Sequence, residues 1–258
     1  MLSYRKVFLF TLLGSLVIIT LGWASSLLEP WLVFLLILVN LGMLIYGSFY
    51  VCSGLYLNVK CGGNKGQKSI SITFDDGPDP LITPRVLDLL EEYELKATFF
   101  LIGKNIPGNE HLVKRMLDEG HIIGNHSYSH SNYFGFLRSE KVIKDLKKNE
   151  LLIETICKKK TNLFRPPFGV TNPNIAKAVR SLDYTAIGWN IRSLDGIKKN
   201  SAKTTKRVMK RLKPGGIILF HDNHAGIFTI LEQLIEKTQK EGYSIVSLDE
   251  ILNLKTYK

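Results

Sequence analysis

The sequence predicts an α/β domain, parallel strands alternating with helices, set behind two apolar helices long enough to cross a membrane. Three observations carry that prediction. Charge is split unevenly: residues 1–57 hold only Arg5, Lys6 and Glu29, net +1, so of the total 34 − 23 = +11 the remaining chain carries +10. No charged residue occurs from Val7 to Leu28 or from Pro30 to Val59. Beyond residue 68, β-branched runs and amphipathic runs alternate six or seven times, the pattern of a parallel sheet or barrel with helices outside. A chain of 258 residues has room for one or two domains, and 45% apolar with 22% charged residues excludes collagen-like, disordered and disulfide-scaffold classes.

A helix needs about 20 apolar residues to cross a bilayer, so both uncharged runs qualify as spans, over about 7–28 and 31–57. Glu29-Pro30 is the turn between them, and Trp23 and Trp31 flank it where interfacial aromatics are favoured. Residues 1–59 thus read as a helical hairpin. The alternative for the first run is a cleaved leader, with Arg5-Lys6 ahead of it and small residues Ala24-Ser25-Ser26 behind. Lys60, Lys65 and Lys68 follow the second run, so the positive-inside rule leans towards a cytoplasmic C-terminal domain. Residues 60–67, with Cys61-Gly62-Gly63-Asn64-Lys65-Gly66, read as a flexible linker to a catalytic domain over 68–258. Cys52, Cys61 and Cys157 read as inert thiols: three cannot close a disulfide set, and they lack the paired spacing of a zinc ribbon.

Strands are expected over 69–74, 97–101, 121–124, 163–164, 184–189, 216–220 and 244–247. Helices are expected over 84–93, 110–119, 139–157, 174–182, 201–212 and 226–241, the first with Thr83 as its N-cap and Pro84 at its first position. In parallel α/β architectures reactive groups gather at the carboxyl ends of strands. Five polar clusters fall there: Asp75-Asp76-Gly77-Pro78, His126 through His130, Arg165-Pro166-Pro167-Phe168-Gly169, Asp195, and His221-Asp222. Each alone passes for turn chemistry or a surface group; together they hold what a metal hydrolase needs.

His126 and His130 offer two imidazoles, and one aspartate of the Asp75-Asp76 pair completes a ligand set with an open position, the mark of a catalytic zinc site. Such an ion lowers the pKa of bound water from about 15.7 towards 7. Adjacent aspartates in extended chain point apart, so one can ligate while the other takes a proton from the attacking water. Arg165 would keep that base ionised, His221 would protonate the leaving nitrogen, and Asp195 would hold His221 charged and in one tautomer.

The ordered set TFDDGP, HSYSH, RPPFG, a W-x5-D segment and LFHD resembles the polysaccharide deacetylase family, the NodB homology or carbohydrate esterase family 4 group, over about Lys68 to Leu254. The resemblance implies a distorted (β/α)7 barrel of NodB type that removes N-acetyl groups from N-acetylglucosamine-type units of peptidoglycan, chitooligosaccharide or other surface polysaccharide. It implies Asp76, His126 and His130 as ligands of one divalent metal ion, zinc first, with cobalt, nickel or manganese as substitutes. It implies Asp75 as base, Arg165 as its orienting partner, His221 as acid and Asp195 as the partner of His221. The Phe168 N–H would face the oxyanion, and Leu219 would line the pocket for the acyl methyl. Two departures stand out: Phe168 replaces a common tyrosine, and Gly196 replaces a common tryptophan, a lost wall that Trp189 or the loop carrying His224 would have to supply.

A cytoplasmic domain would instead meet an amino sugar on a carrier lipid, with deacetylation or deformylation as the reaction. Two histidines and a carboxylate also describe a non-haem iron oxygenase site, but that chemistry has no need of two acid–base pairs. A non-catalytic carbohydrate-binding barrel has no need of them either. The runs Lys158-Lys159-Lys160 and Lys198-Lys199 lack interleaved aromatics, so anionic lipid rather than nucleic acid is the expected partner of the basic surface. His111, His121 and His224 receive no role from the sequence.

Overall fold

The computed structural model describes residues 4–24, 29–196 and 200–258. The end of the first expected span (residues 25–28) and the Lys198-Lys199 run lie outside them. Two antiparallel helices open the chain, α1 (Tyr4–Ala24) and α2 (Pro30–Phe49). Their apolar side chains point outward over most of the surface. Asn40 Nδ2 donates to Ser15 Oγ at 3.0 Å between the helices, and Tyr4 Oη donates to the Met43 carbonyl. Hydrogen bonds of this kind hold apolar helices together where no water competes.

The second apolar run does not continue as helix to residue 57. Tyr50 turns to extended backbone, Val51–Ser53 make a single 3-10 turn, and Gly54 adopts φ 71°. Val51 and Leu57 are buried against the following domain and Leu55 against Gly47 of α2, so their hydrophobicity belongs to packing at this junction rather than to a span. The expected linker is also built in. Val59–Lys60 form β1, Gly62 bridges Gly216, and the Gly63 N–H donates to the Gly215 carbonyl. Folding back of this segment sets Cys52 and Cys61 5.9 Å apart at Cα, joined as a disulfide. The expectation of three unpaired thiols therefore fails for two of them; only Cys157, buried, remains free. The pairing depends on a turn at 51–54 that apolar composition conceals.

The domain then alternates as expected: β2 (Ser69–Asp75), α3 (Thr83–Glu92), β3 (Thr98–Leu101), α4 (Glu110–Asp118), β4 (Ile122–Asn125), α5 (Ser139–Cys157), β5 (Leu163–Phe164), α6 (Pro173–Ser181), β6 (Thr185–Ile187). After it come β7 (Ile191–Arg192), α7 (Ser201–Lys210), β8 (Gly216–His221), α8 (Ile227–Lys240), β9 (Ser244–Ile245) and α9 (Leu248–Leu252). The strand order is β1-β6-β5-β4-β3-β2-β8-β7, with β9 beside β2, and every strand pairing is parallel. Residues 188–190 carry the chain from β6 across to β8: the Gly188 N–H donates to the Lys60 carbonyl and the Asn190 N–H to that of Ile217. The sheet thereby curls into the distorted seven-unit barrel that was expected. Phe74, Phe99 and Phe220 stack between the sheet and its helices. β2 lies at the centre with all seven residues buried, which fixes its carboxyl end, and so Asp75, in place.

Candidate active site

Asp75 ends β2 and Asp76 follows it with φ 76°, a left-handed turn that sends the two carboxylates apart. Gly77 is obligatory beyond them, because a Cβ there would fall 2.4 Å from Asp222 Oδ2. Asp222 accepts from the Thr83 hydroxyl, and burial pushes its carboxyl up to about 7. Asn105 and Asn223 steady Asp76, donating to its carbonyl and its Oδ2.

His126 follows β4 and His130 closes the next turn, with Ser127 at φ 68° and His130 at φ 42°. Such backbone is held only by surrounding contacts. Here α5 supplies them: Asp145 accepts from the Tyr128 and Ser129 N–H groups, and Asn149 donates to Leu101, Asn125 and Ser127. Asp76 Oδ1 lies 3.7 Å from His126 Nε2 and 3.5 Å from His130 Nε2, and one ligand atom from each residue lies within 4.8 Å of the others. Tetrahedral ligands about 2.1 Å from zinc sit about 3.4 Å apart, so the cradle fits such an ion. His126 Nδ1 donates to the Arg165 carbonyl at 2.8 Å, which leaves Nε2 as the free lone pair. Burial, with the neighbouring His130, pushes His126 down to about 3, so it is neutral and ready to ligate.

Arg165, fully buried beyond β5, donates to Asp75 Oδ1 and Thr73 Oγ1 at 2.8 Å and to the Gly188 carbonyl, with its guanidinium over Phe100. Burial pushes the Asp75 carboxyl above the usual range while Arg165 pulls it back. Arg165 thus acts in the expected direction, against the opposing effect of a dry site.

Across the cleft, Asp195 Oδ1 accepts from His221 Nδ1 at 2.9 Å and from the Ser193 hydroxyl, and Oδ2 accepts from the His221 N–H and from His224 Nε2 at 3.1 Å. Burial would raise Asp195, yet these donors hold it well below the usual carboxylate range. Burial would likewise depress His221, but the hydrogen bond and charge of Asp195 push it up to about 9.

Phe168, at φ 60° in a 3-10 turn, packs at a tilt against His130 with ring centroids 4.6 Å apart. Trp189, Leu219 and Phe168 line the same cleft as Asp75, Asp76 and His221. Trp189 packs against Gly169, supplying one wall, whereas His224 turns behind the cleft to Asp195. At Gly196 a Cβ would stand 3.5 Å from His221 Nδ1, so the imidazole face is left open to the cleft. Beyond Asp76 and His130 a second polar hollow continues past Lys104, Asn105 and Asn109. The structure thus brings all ten expected residues to one place: eight around the cleft, Arg165 and Asp195 directly behind it. Sequence reasoning missed the supports Asp145, Asn149, Asp222 and His224, and also Arg192 in the cleft wall. Of these, Asp222 ends the LFHD motif and His224 lies close to it, whereas Asp145, Asn149 and Arg192 carried no signal.

Residues 62–187 match the sequence profile of the family described as polysaccharide deacetylase. A peptidoglycan-N-acetylglucosamine deacetylase of Bacillus cereus is 37% identical over 194 residues, covering 73% of this chain and 90% of the relative. A solved peptidoglycan N-acetylglucosamine deacetylase, in complex with 4-naphthalen-1-yl-N-oxidanyl-benzamide, superposes with TM-score 0.74 at 28% identity, over 78% of this chain and 95% of that one. A CE4 family pseudoenzyme from Bacillus anthracis superposes with TM-score 0.69, also at 28% identity, over 74% and 67%.

Proposed function

The chain belongs to the polysaccharide deacetylase family, and on that premise we propose that it is a membrane-anchored, metal-dependent hydrolase removing N-acetyl groups from the amino sugars of peptidoglycan. One observation carries this reading beyond kinship. The Asp76–His126–His130 cradle lies between two intact acid–base pairs, Asp75–Arg165 on one side and His221–Asp195 on the other. Since the family includes a pseudoenzyme, membership alone would not be enough.

Asp76, His126 and His130 would hold one divalent ion, with zinc best suited to two imidazoles and a carboxylate. Bound there, such an ion supplies a Lewis acid and an acidified water. Asp75 takes a proton from the attacking water, its basicity raised by burial. The Phe168 N–H is the donor for the negative charge that develops on the carbonyl oxygen as water adds to the carbonyl carbon. His221, charged at neutral pH, gives its proton to the leaving nitrogen, so water and acetamide become acetate and a free amine. The hollow beyond Asp76 gives further sugar units a place along the chain.

The two N-terminal helices support a membrane anchor of two spans. The Cys52–Cys61 disulfide favours the outer face, where disulfides persist and where wall polymer lies, against the cytoplasmic lean of the flanking lysines. An amino sugar on a carrier lipid is the second substrate reading, favoured by the nearness of the cleft to the end of α2.

The test is acetate release from N-acetylglucosamine oligomers and from peptidoglycan by the full chain in detergent. Turnover is expected with added zinc, lost with chelator and restored by metal. A folded, zinc-loaded protein that releases no acetate from either substrate overturns the assignment.

A further inference from the structure

We propose that the rim of the catalytic cleft is itself a membrane-contacting surface: Phe168 of the cleft wall and Tyr133 and Phe136 of the adjoining turn sit in the headgroup region of the bilayer that α1 and α2 cross. The proposal rests on the two-span reading above and adds the place at which substrate is met.

The first step is to locate the bilayer plane. The 20 residues of α2 span about 30 Å, the thickness of the hydrocarbon core. Trp23 and Trp31, both largely exposed, mark one end. Tyr4, Tyr46 and Tyr50 mark the other, their rings in tilted contact in series at 5.2 and 5.1 Å between centroids. Tryptophan and tyrosine favour the two water interfaces, so the plane on the domain side passes through Tyr46–Tyr50.

The second step is that this plane is fixed relative to the cleft. No flexible tether intervenes. The Ser48 carbonyl accepts from the Thr171 N–H at 2.9 Å, Gly47 packs directly against Leu55, and Val51 lies against Gly169, one residue from Phe168. The turn that holds Phe136 is tied to the same loop, Asn172 Nδ2 donating to the Gly135 carbonyl.

The third step is the side chains themselves. Beyond residue 50 only five large apolar side chains are exposed among the described residues: Leu81, Tyr133, Phe136, Leu151 and Phe168. Three of the five are aromatic, Phe168 in the cleft wall and Phe136 and Tyr133 in the turn tied to its loop, at 86% and 73% exposure. Aromatics left bare beside the end of a span have an obvious cover, because the interface receives an apolar ring and a polar edge together. The cleft would then take amino sugars from glycan held at the membrane surface, strands still near the bilayer or units attached to lipid, ahead of distant wall.

The experiment uses the full chain in phosphatidylglycerol–phosphatidylethanolamine proteoliposomes. A nitroxide is placed at Phe136→Cys, with Tyr133→Cys as an independent second site; Cys157 is buried and the other two cysteines are paired. Lys240→Cys, at the end of α8 beside the amino ends of the strands, is the aqueous control, and Leu38→Cys the mid-span control. Labels at 136 and 133 are expected to show a several-fold lower collision rate with a water-soluble nickel chelate than the label at 240, with oxygen collisions raised. Nickel accessibility equal to that at 240 overturns the proposal. An aqueous signal at 38 would instead overturn the two-span reading, and since no turnover is measured, the outcome is independent of deacetylase activity.

Discussion

At the scale of single residues, the site works by setting two buried ion pairs against the cost of desolvation. His221 is the clearest case. Burial alone would drive its imidazole to the neutral form; Asp195 reverses the sign and pushes it up to about 9. As the proposed proton donor, His221 with that pKa stays charged through neutrality, so on the alkaline side activity should fall as pH rises through about 9. In Asp195→Asn the charge is gone while burial remains, and the alkaline limb of kcat/KM should move below the free-histidine value of about 6.5. Turnover at pH 8 should drop about 10²-fold or more, the scale of general acid catalysis. A limb that stays near 9 in the variant would show that Asp195 does not set the charge of His221. These pairs were legible beforehand because His221, Asp195, Asp75 and Arg165 sit at strand ends, where the period of the chain announces them. His224, the second ring on Asp195, was not: nothing in a lone histidine three residues past a strand says which way it turns.

At the scale of elements, the carboxyl ends of the strands supply reactive groups and α5 holds them still. The ligand turn 126–130 contains two residues in left-handed backbone, costly unless the surroundings impose it. Asp145 imposes it through two N–H groups, one at 2.7 Å. Asp145→Ala should therefore cost about 1.5–3 kcal/mol of stability, the worth of hydrogen bonds to a charged group. It should also weaken zinc binding about 10–100-fold by loosening the support of the ligands. Chelator-competition titration measures the second effect and thermal unfolding the first; unchanged zinc affinity in a destabilised protein would confine Asp145 to a structural role. Helix α5 itself was readable over its whole length from its amphipathic period, whereas its contribution to the site was not. Asp145 and Asn149 lie on a helix, and their partners are backbone groups that only the tertiary fold brings near. The same limit explains β1, β7 and the disulfide. β1 and β7 are two-residue strands with no helix between them and the neighbouring strand in sequence, so they lack the strand–helix alternation that marks the equally short β5 and β9. The apolar run that hides the turn at 51–54 has the same composition as the span before it.

At the scale of the whole molecule, the N-terminal helix pair and the catalytic domain are one body, because the chain between them is spent on packing, on β1 and on the Cys52–Cys61 bond. That bond closes a loop of nine residues, and in the chain-entropy account it restricts the unfolded state by about 2.6 kcal/mol. For a domain near 200 residues this corresponds to about 5–10 °C in Tm. Reductant should lower the Tm of the full chain by that amount and leave the Cys52→Ser/Cys61→Ser variant unaffected. The bond also reports the side of the membrane. If the domain lies outside, protein denatured directly from native membranes under thiol-free conditions should accept one maleimide-polyethylene glycol adduct, at Cys157, and three after reduction. Three adducts without reduction would place Cys52 and Cys61 in a reducing compartment. The flanking lysines would then outweigh the disulfide, and the substrate would be an amino sugar on the cytoplasmic leaflet rather than one in the wall.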